Sequence, residues 1–304
     1  MLPPDNFDPE IGLAETLEPG LRRIVAPNPS PMTYRGTNTY LLGSTDIAVI
    51  DPGPESPAHL EAILAAIEPG QRISHIIVTH THLDHSPLAR PLAARSGAEI
   101  WAFGPATAGR SPVMQGLAEA GLMGGGEGVD HDFSPDHTLI DGEMLEGQDW
   151  ALQALHTPGH IGNHLCLAWG DACLTADHVM GWATSLVSPP DGDLTDFMTS
   201  CEKLGARQWR VFYPGHGAPV TDPTARLDWL VAHRRAREAS ILEALTAGPA
   251  TAEELARLIY TETPAALLGA ARRNVLAHLV DLTGRGRVGP QGALQADARF
   301  SLNP

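Results

Sequence analysis

Six residues, His80-Thr81-His82-Leu83-Asp84-His85, put three histidines and a carboxylate into one short run. With 14 His and 36 Asp or Glu in 304 residues, the pattern H-x-H-x-[DE]-H has a chance frequency of about 1 in 10⁵ per window, or about three in a thousand over the chain. His80 and His82 are two apart, so on an extended backbone both side chains leave from the same side. Asp84 and His85 follow as the chain turns toward the helix-like Ser86-Pro87-Leu88-Ala89-Arg90. A loop at a strand end can wrap four such groups around one centre. Imidazole plus carboxylate, without thiolate, suits zinc and also iron or manganese.

A metal needs ligands from elsewhere, and this requirement constrains the fold. His160 follows a Pro158-Gly159 turn, Asp177 ends the apolar run from Ala172, and His216 follows the turn Pro214-Gly215 after "RVFY". Each sits just after a β-type segment, so the chain must gather several strand ends at one place. The rest of the first half agrees. "NTYLLGS", "DIAVIDPG" and "ISHIIVTH" are apolar, β-branched runs that end in turn residues. They alternate with helical patterns: "SPAHLEAILAAIEPG" starts at an N-cap Ser56 and runs to Pro69-Gly70, and "SPLARPLAARSG" leads into the strand "EIWAFG". The glycine-rich stretch from Gly121 to Ser134 has no periodicity and reads as a surface loop that could edge a site mouth.

The last 80 residues have a different grammar. A long amphipathic helix from Asp222 closes at Gly248, "TAEELARLIY" carries a capping box at Thr251 and Glu254, and a third helix runs from Pro264. "RVGPQGALQADARFSL" then reads as a hairpin. Three helices and a two-stranded wing predict a winged-helix module at 225–304 behind a catalytic domain at 1–224. Arg272 and Arg273 on the third helix could enter a nucleic-acid groove, but packing on the main domain or dimerisation is the better expectation. Residues 225–304 hold ten Arg and eight acidic residues, a balance of +2, which leaves −18 on residues 1–224. An acidic body repels polyanions at long range.

No window approaches about 18 uninterrupted apolar residues, so no transmembrane helix and no membrane partner are expected. The acidic, Pro-rich start "MLPPDNFDPE" is unlike a signal peptide, and a cytoplasmic location is the default expectation. Three cysteines without a CxxC pair argue against disulfide scaffolding, and Cys166 and Cys173 read as small core residues.

Taken with Asp51 in "VIDPG", the run at 80–85 and the later His160, Asp177 and His216, the sequence resembles the metallo-β-lactamase superfamily across almost its whole length. The resemblance implies an α+β fold, an αββα sandwich of two facing mixed sheets flanked by helices. It implies that His80, His82 and His160 hold one metal, that Asp84, His85 and His216 hold a second, and that Asp177 bridges them. Asp51 would support the ligand loop from behind. "GTNTYLLG", "YPGHG" and the terminal winged helix resemble the branch of β-lactamase-like endoribonucleases and of thioesterases that release polyketides from carrier proteins. Two departures stand out: Ala176 replaces the family's usual Gly before the bridging aspartate, and Ser86-Pro87-Leu88 replaces its common Ser-Gly-Gly.

The resemblance implies a dinuclear hydrolase with two Zn²⁺, or Fe or Mn, whose metal-bridging hydroxide would attack a carbonyl or phosphorus centre. Asp84 would orient that water. His178, next to Asp177, is a candidate proton donor. The expected substrate is an ester or thioester of a small or carrier-bound acid, with single-strand RNA as the alternative and a possible homodimer. Iron redox chemistry is a third reading. Flavodiiron relatives carry Glu where His82 stands, whereas mononuclear iron persulfide oxygenases keep H-x-H. His59, His75, His233 and His278 read as ordinary surface residues, His131, His137 and His156 as loop or surface, and His164 is open. In the segment after His178, Trp182, Ser185 and Asp191 either line a pocket or cross the surface.

Overall fold

The computed structural model describes residues 7–124, 128–264 and 267–303. The elements run β1 (Glu15–Glu18), β2 (Leu21–Val25), β3 (Asn38–Leu42), β4 (Asp46–Ile50), α1 (Pro57–Ala65), β5 (Arg72–Val78), α2 (Ala89–Ser96), β6 (Glu99–Ala102), α3 (Pro112–Glu119) and β7 (His137–Thr138). They continue with β8 (Met144–Glu146), β9 (Ala151–His156), β10 (Leu165–Trp169), β11 (Ala172–Ala176), α4 (Leu194–Gly205) and β12 (Val211–Pro214). The remainder is α5 (Pro223–Leu245), α6 (Ala252–Ile259), α7 (Leu268–Gly284), β13 (Val288–Pro290) and β14 (Phe300–Leu302).

Strands β1 to β7 form one sheet in sequence order, and the second sheet has the order β12-β11-β10-β9-β8. Both are mixed: β4, β5, β6 and β7 are parallel neighbours, as are β11 and β12, while the other pairs are antiparallel. The strands are apolar on both faces because each sheet is covered on both faces. Ala48 and Ile50 of β4 point into the core between the sheets with Leu165 and Leu167 of β10. Ile47 and Val49, on the opposite face, pack under α1 and α2 beside Ile63 and Leu92. Cys166 and Cys173 occupy the outer face of the second sheet, with Phe197 of α4 and Leu227 of α5. All three cysteines are free and buried, as core residues. The order of layers is therefore helices, sheet, sheet, helices.

The C-terminal helices and the β13–β14 hairpin enclose their own core around Leu255, Val275, Leu279 and Phe300. It is continuous with the main body, since Met114 and Leu117 of α3 join that core. Helix α5 spans both regions, with Leu227 and Leu230 against the second sheet and Ile241 and Leu245 in the winged-helix core. No helix among the described residues is long and apolar enough to cross a membrane.

Several local expectations hold: Ser56 caps α1 by accepting from the His59 amide, and Thr251 and Glu254 form the capping box of α6. Helix α1 ends at Ala65, before the predicted Pro69-Gly70 stop. Gly125, Gly126 and Glu127 of the glycine-rich stretch, and Ala265 and Ala266 of the predicted third helix, lie outside the described residues. Arg273 turns toward the main body. It donates to the carbonyls of Met123, Gly124 and Pro189 in the main body, and Arg272 lies 3.6 Å from Glu253.

His59 and His278 are buried, contrary to their reading as surface residues. His59 Nε2 lies 2.8 Å from Thr39 Oγ1. His278 has no hydrogen-bond partner on either ring nitrogen, and burial pushes its pKa down to about 3. The unfolded chain takes up this proton near pH 6.5, so the stability that neutral His278 contributes is full above that pH and is lost as pH falls toward 3. His278→Leu should make the decline in unfolding free energy below pH 6.5 shallower by up to about 1.4 kcal/mol per pH unit. Urea unfolding at several pH values between 4 and 7 measures this, and an unchanged slope would contradict it.

Candidate metal centre

The C-terminal ends of β4, β5, β9, β11 and β12 meet at one end of the sandwich, and the loops leaving them carry all the charged groups of the site. Asp51, just past β4, has a left-handed backbone (φ 52°). Its Oδ1 accepts the Thr79 amide at 2.8 Å, and its Oδ2 accepts the Thr79 hydroxyl at 2.8 Å. The same Oδ2 lies 2.9 Å from His85 Nδ1, and Thr79 Oγ1 lies 3.0 Å from His80 Nδ1. One carboxylate thus fixes the ring orientation of His85 directly and of His80 through Thr79.

Two further rings are held similarly. His160 Nδ1 lies 2.7 Å from the Leu186 carbonyl and 3.1 Å from Ser185 Oγ, and His216 Nδ1 lies 3.2 Å from the Gly36 carbonyl. Donating from the far nitrogen turns each Nε2 lone pair inward, which is how proteins fix metal-binding tautomers.

Two trios of donor atoms result. His82 Nδ1 is 3.1 Å from His80 Nε2 and 2.9 Å from His160 Nε2. In the second trio, Asp84 Oδ2 is 3.1 Å from His216 Nε2 and 3.4 Å from His85 Nε2. Within each trio the donor atoms lie within 4.8 Å of one another. Asp177 stands between them: Oδ2 is 3.3 Å from His216 Nε2 and 3.6 Å from His160 Nε2, and Oδ1 is 3.4 Å from His85 Nε2. Asp51, His80 and His85 also satisfy the spacing, but three protein donors already occupy the Asp51 carboxylate, which marks it as support.

The two trios differ electrostatically. Burial, reinforced by His160, holds His82 down at about 3, and burial with His85 and His82 keeps His80 neutral well below the usual imidazole range. In the second trio burial is outweighed by carboxylates: Asp177 and Asp84 raise His216 to about 10, and Asp84, Asp177 and Asp51 raise His85. Asp84 and Asp177 stay ionised despite burial because these imidazoles oppose it. Asp84 Oδ1 and Asp177 Oδ1 are nevertheless buried without a hydrogen bond. Buried carboxylate oxygens left open beside inward imidazole nitrogens are the donor chemistry of a divalent cation, and the residues present fit one.

All seven predicted ligands therefore converge. His178 does not join them; its Nε2 faces Cys201 Sγ at 3.6 Å and its ring packs on Phe197. His164 is buried, with Nδ1 3.0 Å from Thr157 Oγ1. Ser86 Oγ lies 2.9 Å from Asp130 Oδ2 and 3.2 Å from the His82 carbonyl, so the serine shared with the family's Ser-Gly-Gly ties the ligand loop to the segment at 128–130. Ala176 is held at φ 42°, a conformation that accounts for the glycine usual at this position. Sequence reading gave no supporting role to Thr79, to Leu186 or to Gly36 of "GTNTYLLG". Thr79, adjacent to the ligand run, and Gly36, which opens that motif, carried a local signal, and Leu186 carried none.

A family model described as metallo-beta-lactamase superfamily matches residues 32–239, and one described as beta-lactamase associated winged helix domain matches residues 251–295. The beta-lactamase-like protein 2 homolog of Drosophila melanogaster is 31% identical over 280 residues, 88% of this chain and 88% of its own. An atrochrysone carboxyl ACP thioesterase of Aspergillus fumigatus is 27% identical over 277 residues, 84% of this chain and 78% of its own. Among solved structures, a metallo-beta-lactamase family protein of Thermus thermophilus superposes with a TM-score of 0.75 at 27% identity, covering 95% of this chain and 100% of that one.

Proposed function

We propose a function from the premise that this chain belongs to the metallo-beta-lactamase superfamily and is a metal-dependent hydrolase: it holds two divalent cations and cleaves a thioester or ester of a small or carrier-bound acid. The observation that carries this reading is Asp177, one carboxylate within 3.6 Å of a histidine of each trio. Two divalent cations supply a water acidified from about 16 to about 7 and stabilise the developing oxyanion.

The chain's own residues do the positioning. Asp84 Oδ1, buried and without a hydrogen bond, accepts a hydrogen bond from the attacking water and orients its lone pair. Asp51, Thr79 and the Leu186 and Gly36 carbonyls hold the imidazoles so that no reorganisation is needed. Preference for an acyl rather than a phosphodiester substrate follows from the balance of −18 on residues 1–224, from the engagement of Arg273 with the main body, and from the thioesterase among the relatives.

A panel of acyl-pantetheine thioesters, acyl-carrier thioesters, lactones and labelled single-stranded RNA tests this, with His82→Ala and EDTA-treated protein as controls. Thioester or ester hydrolysis should fall to background in both controls, and elemental analysis should find two ions per chain. RNA cleavage that is lost in His82→Ala, with no acyl activity, would overturn the substrate class.

A further inference from the structure

The segment between Asp177 and α4 contains no strand or helix over residues 178–193, yet it supplies the contacts that orient His160. Leu186 O and Ser185 Oγ both meet His160 Nδ1. A loop with no ladder of its own must be held by something else. Here the holding groups come from the helices of the C-terminal region. Arg234 of α5 is buried and donates to the Ser185 carbonyl at 2.5 Å. Asn274 of α7 accepts from Arg234 Nη1 at 3.0 Å and from the Val187 amide at 3.2 Å, through the same Oδ1. Arg273, one residue earlier, donates to Ser188 Oγ at 3.2 Å and to the Pro189 carbonyl at 3.3 Å.

We propose that Asn274, with Arg234 and Arg273, is a positioning residue for His160, so that the winged-helix module sets the geometry of the first metal trio. Val187 and Ser185 flank Leu186, and Asn274 holds Val187 directly and Ser185 through Arg234, so both neighbours of the carbonyl that orients the ring are fixed. Arg273 also reaches the Met123 and Gly124 carbonyls. Further along that segment, Gly128 accepts from the Leu83 amide and Val129 bridges to His82. The module therefore grips the flank of His160. Without these bonds the carbonyl at 186 is free to rotate, and the His160 ring loses its fixed tautomer.

The inference rests on the reading of His160 as a metal ligand, and its test separates the two. Asn274→Asp keeps the acceptor atom that both bonds use, whereas Asn274→Leu removes it at similar volume. Competition with a chromogenic chelator for added Zn²⁺ and the visible spectrum of the cobalt-substituted full chain are the readouts, beside His160→Ala. Asn274→Leu should weaken Zn²⁺ at one site about 10- to 100-fold, lower kcat more than it raises KM, and change the cobalt spectrum. Asn274→Asp should restore all three. A loss of thermal stability in Asn274→Leu with unchanged zinc affinity, spectrum and kcat would overturn the proposal while leaving the ligand reading intact. Unchanged zinc affinity in His160→Ala would overturn the ligand reading itself.

Discussion

Replacing Asp177 with asparagine is expected to lower kcat by about 10³-fold or more in a protein that stays folded, a change of about 4 kcal/mol in the barrier. Asparagine fills the same volume, so the packing at the end of β11 survives. It removes the charge that balances His216 and His85, which lie 3.3 and 3.4 Å from the carboxylate oxygens. It also turns an N–H group toward nitrogens that must point their lone pairs, or a bound cation, in its direction. The first trio of His80, His82 and His160 keeps its three nitrogens and should retain one ion, so metal content should fall from two per chain toward one. Steady-state kinetics with elemental analysis measures both. A variant that keeps two ions and its full kcat would remove Asp177 from the centre of the mechanism.

The legibility of this site follows from sequence distance. Four ligands lie within six residues, and the Pro-Gly turns at 158–159 and 214–215 mark two more, so the metal residues stand out in the amino-acid order itself. The strands were legible because both faces of each sheet are covered, which makes runs such as "DIAVI" continuously apolar. What was not legible are contacts between residues far apart in the chain. His59 lies in a helical pattern that cannot show Thr39 across from it. His278 looks polar in α7 yet is buried with no partner. The loop at 178–193 has no periodicity, and its holding residues lie nearly 50 or more positions later, at Arg226, Arg234 and Asn274. Single-residue patterns carry the chemistry of the centre; the scaffold that tunes it is written in pairings of high sequence separation.

Gly215 shows how far that scaffold constrains the site, and Gly215→Ala is expected to cost about 10²- to 10³-fold in kcat/KM through loss of metal. The usual reason for glycine is absent, because Gly215 is not among the left-handed residues. The barrier is contact alone: a Cβ here would sit 2.3 Å from Asp177 Oδ1 and 2.8 Å from His85 Cε1, atoms of two ligands at once. The backbone cannot retreat. The Gly215 amide donates to the Ala176 carbonyl at 2.8 Å, and its carbonyl accepts from the Asn38 amide at 2.7 Å, so it is pinned to both sheets. The added methyl must therefore push Asp177, which stands between the trios, or His85 of the second trio, and either movement disturbs the centre. Gly205→Ala is the control, since nothing lies within 4 Å of a Cβ at that helix position, and it should be neutral or stabilise by up to about 1 kcal/mol. Zinc affinity by chelator competition, kcat/KM and thermal unfolding are compared for the two variants. Wild-type zinc affinity and rate in Gly215→Ala would mean that the ligand loops move freely, and the rigid two-trio centre would have to be abandoned.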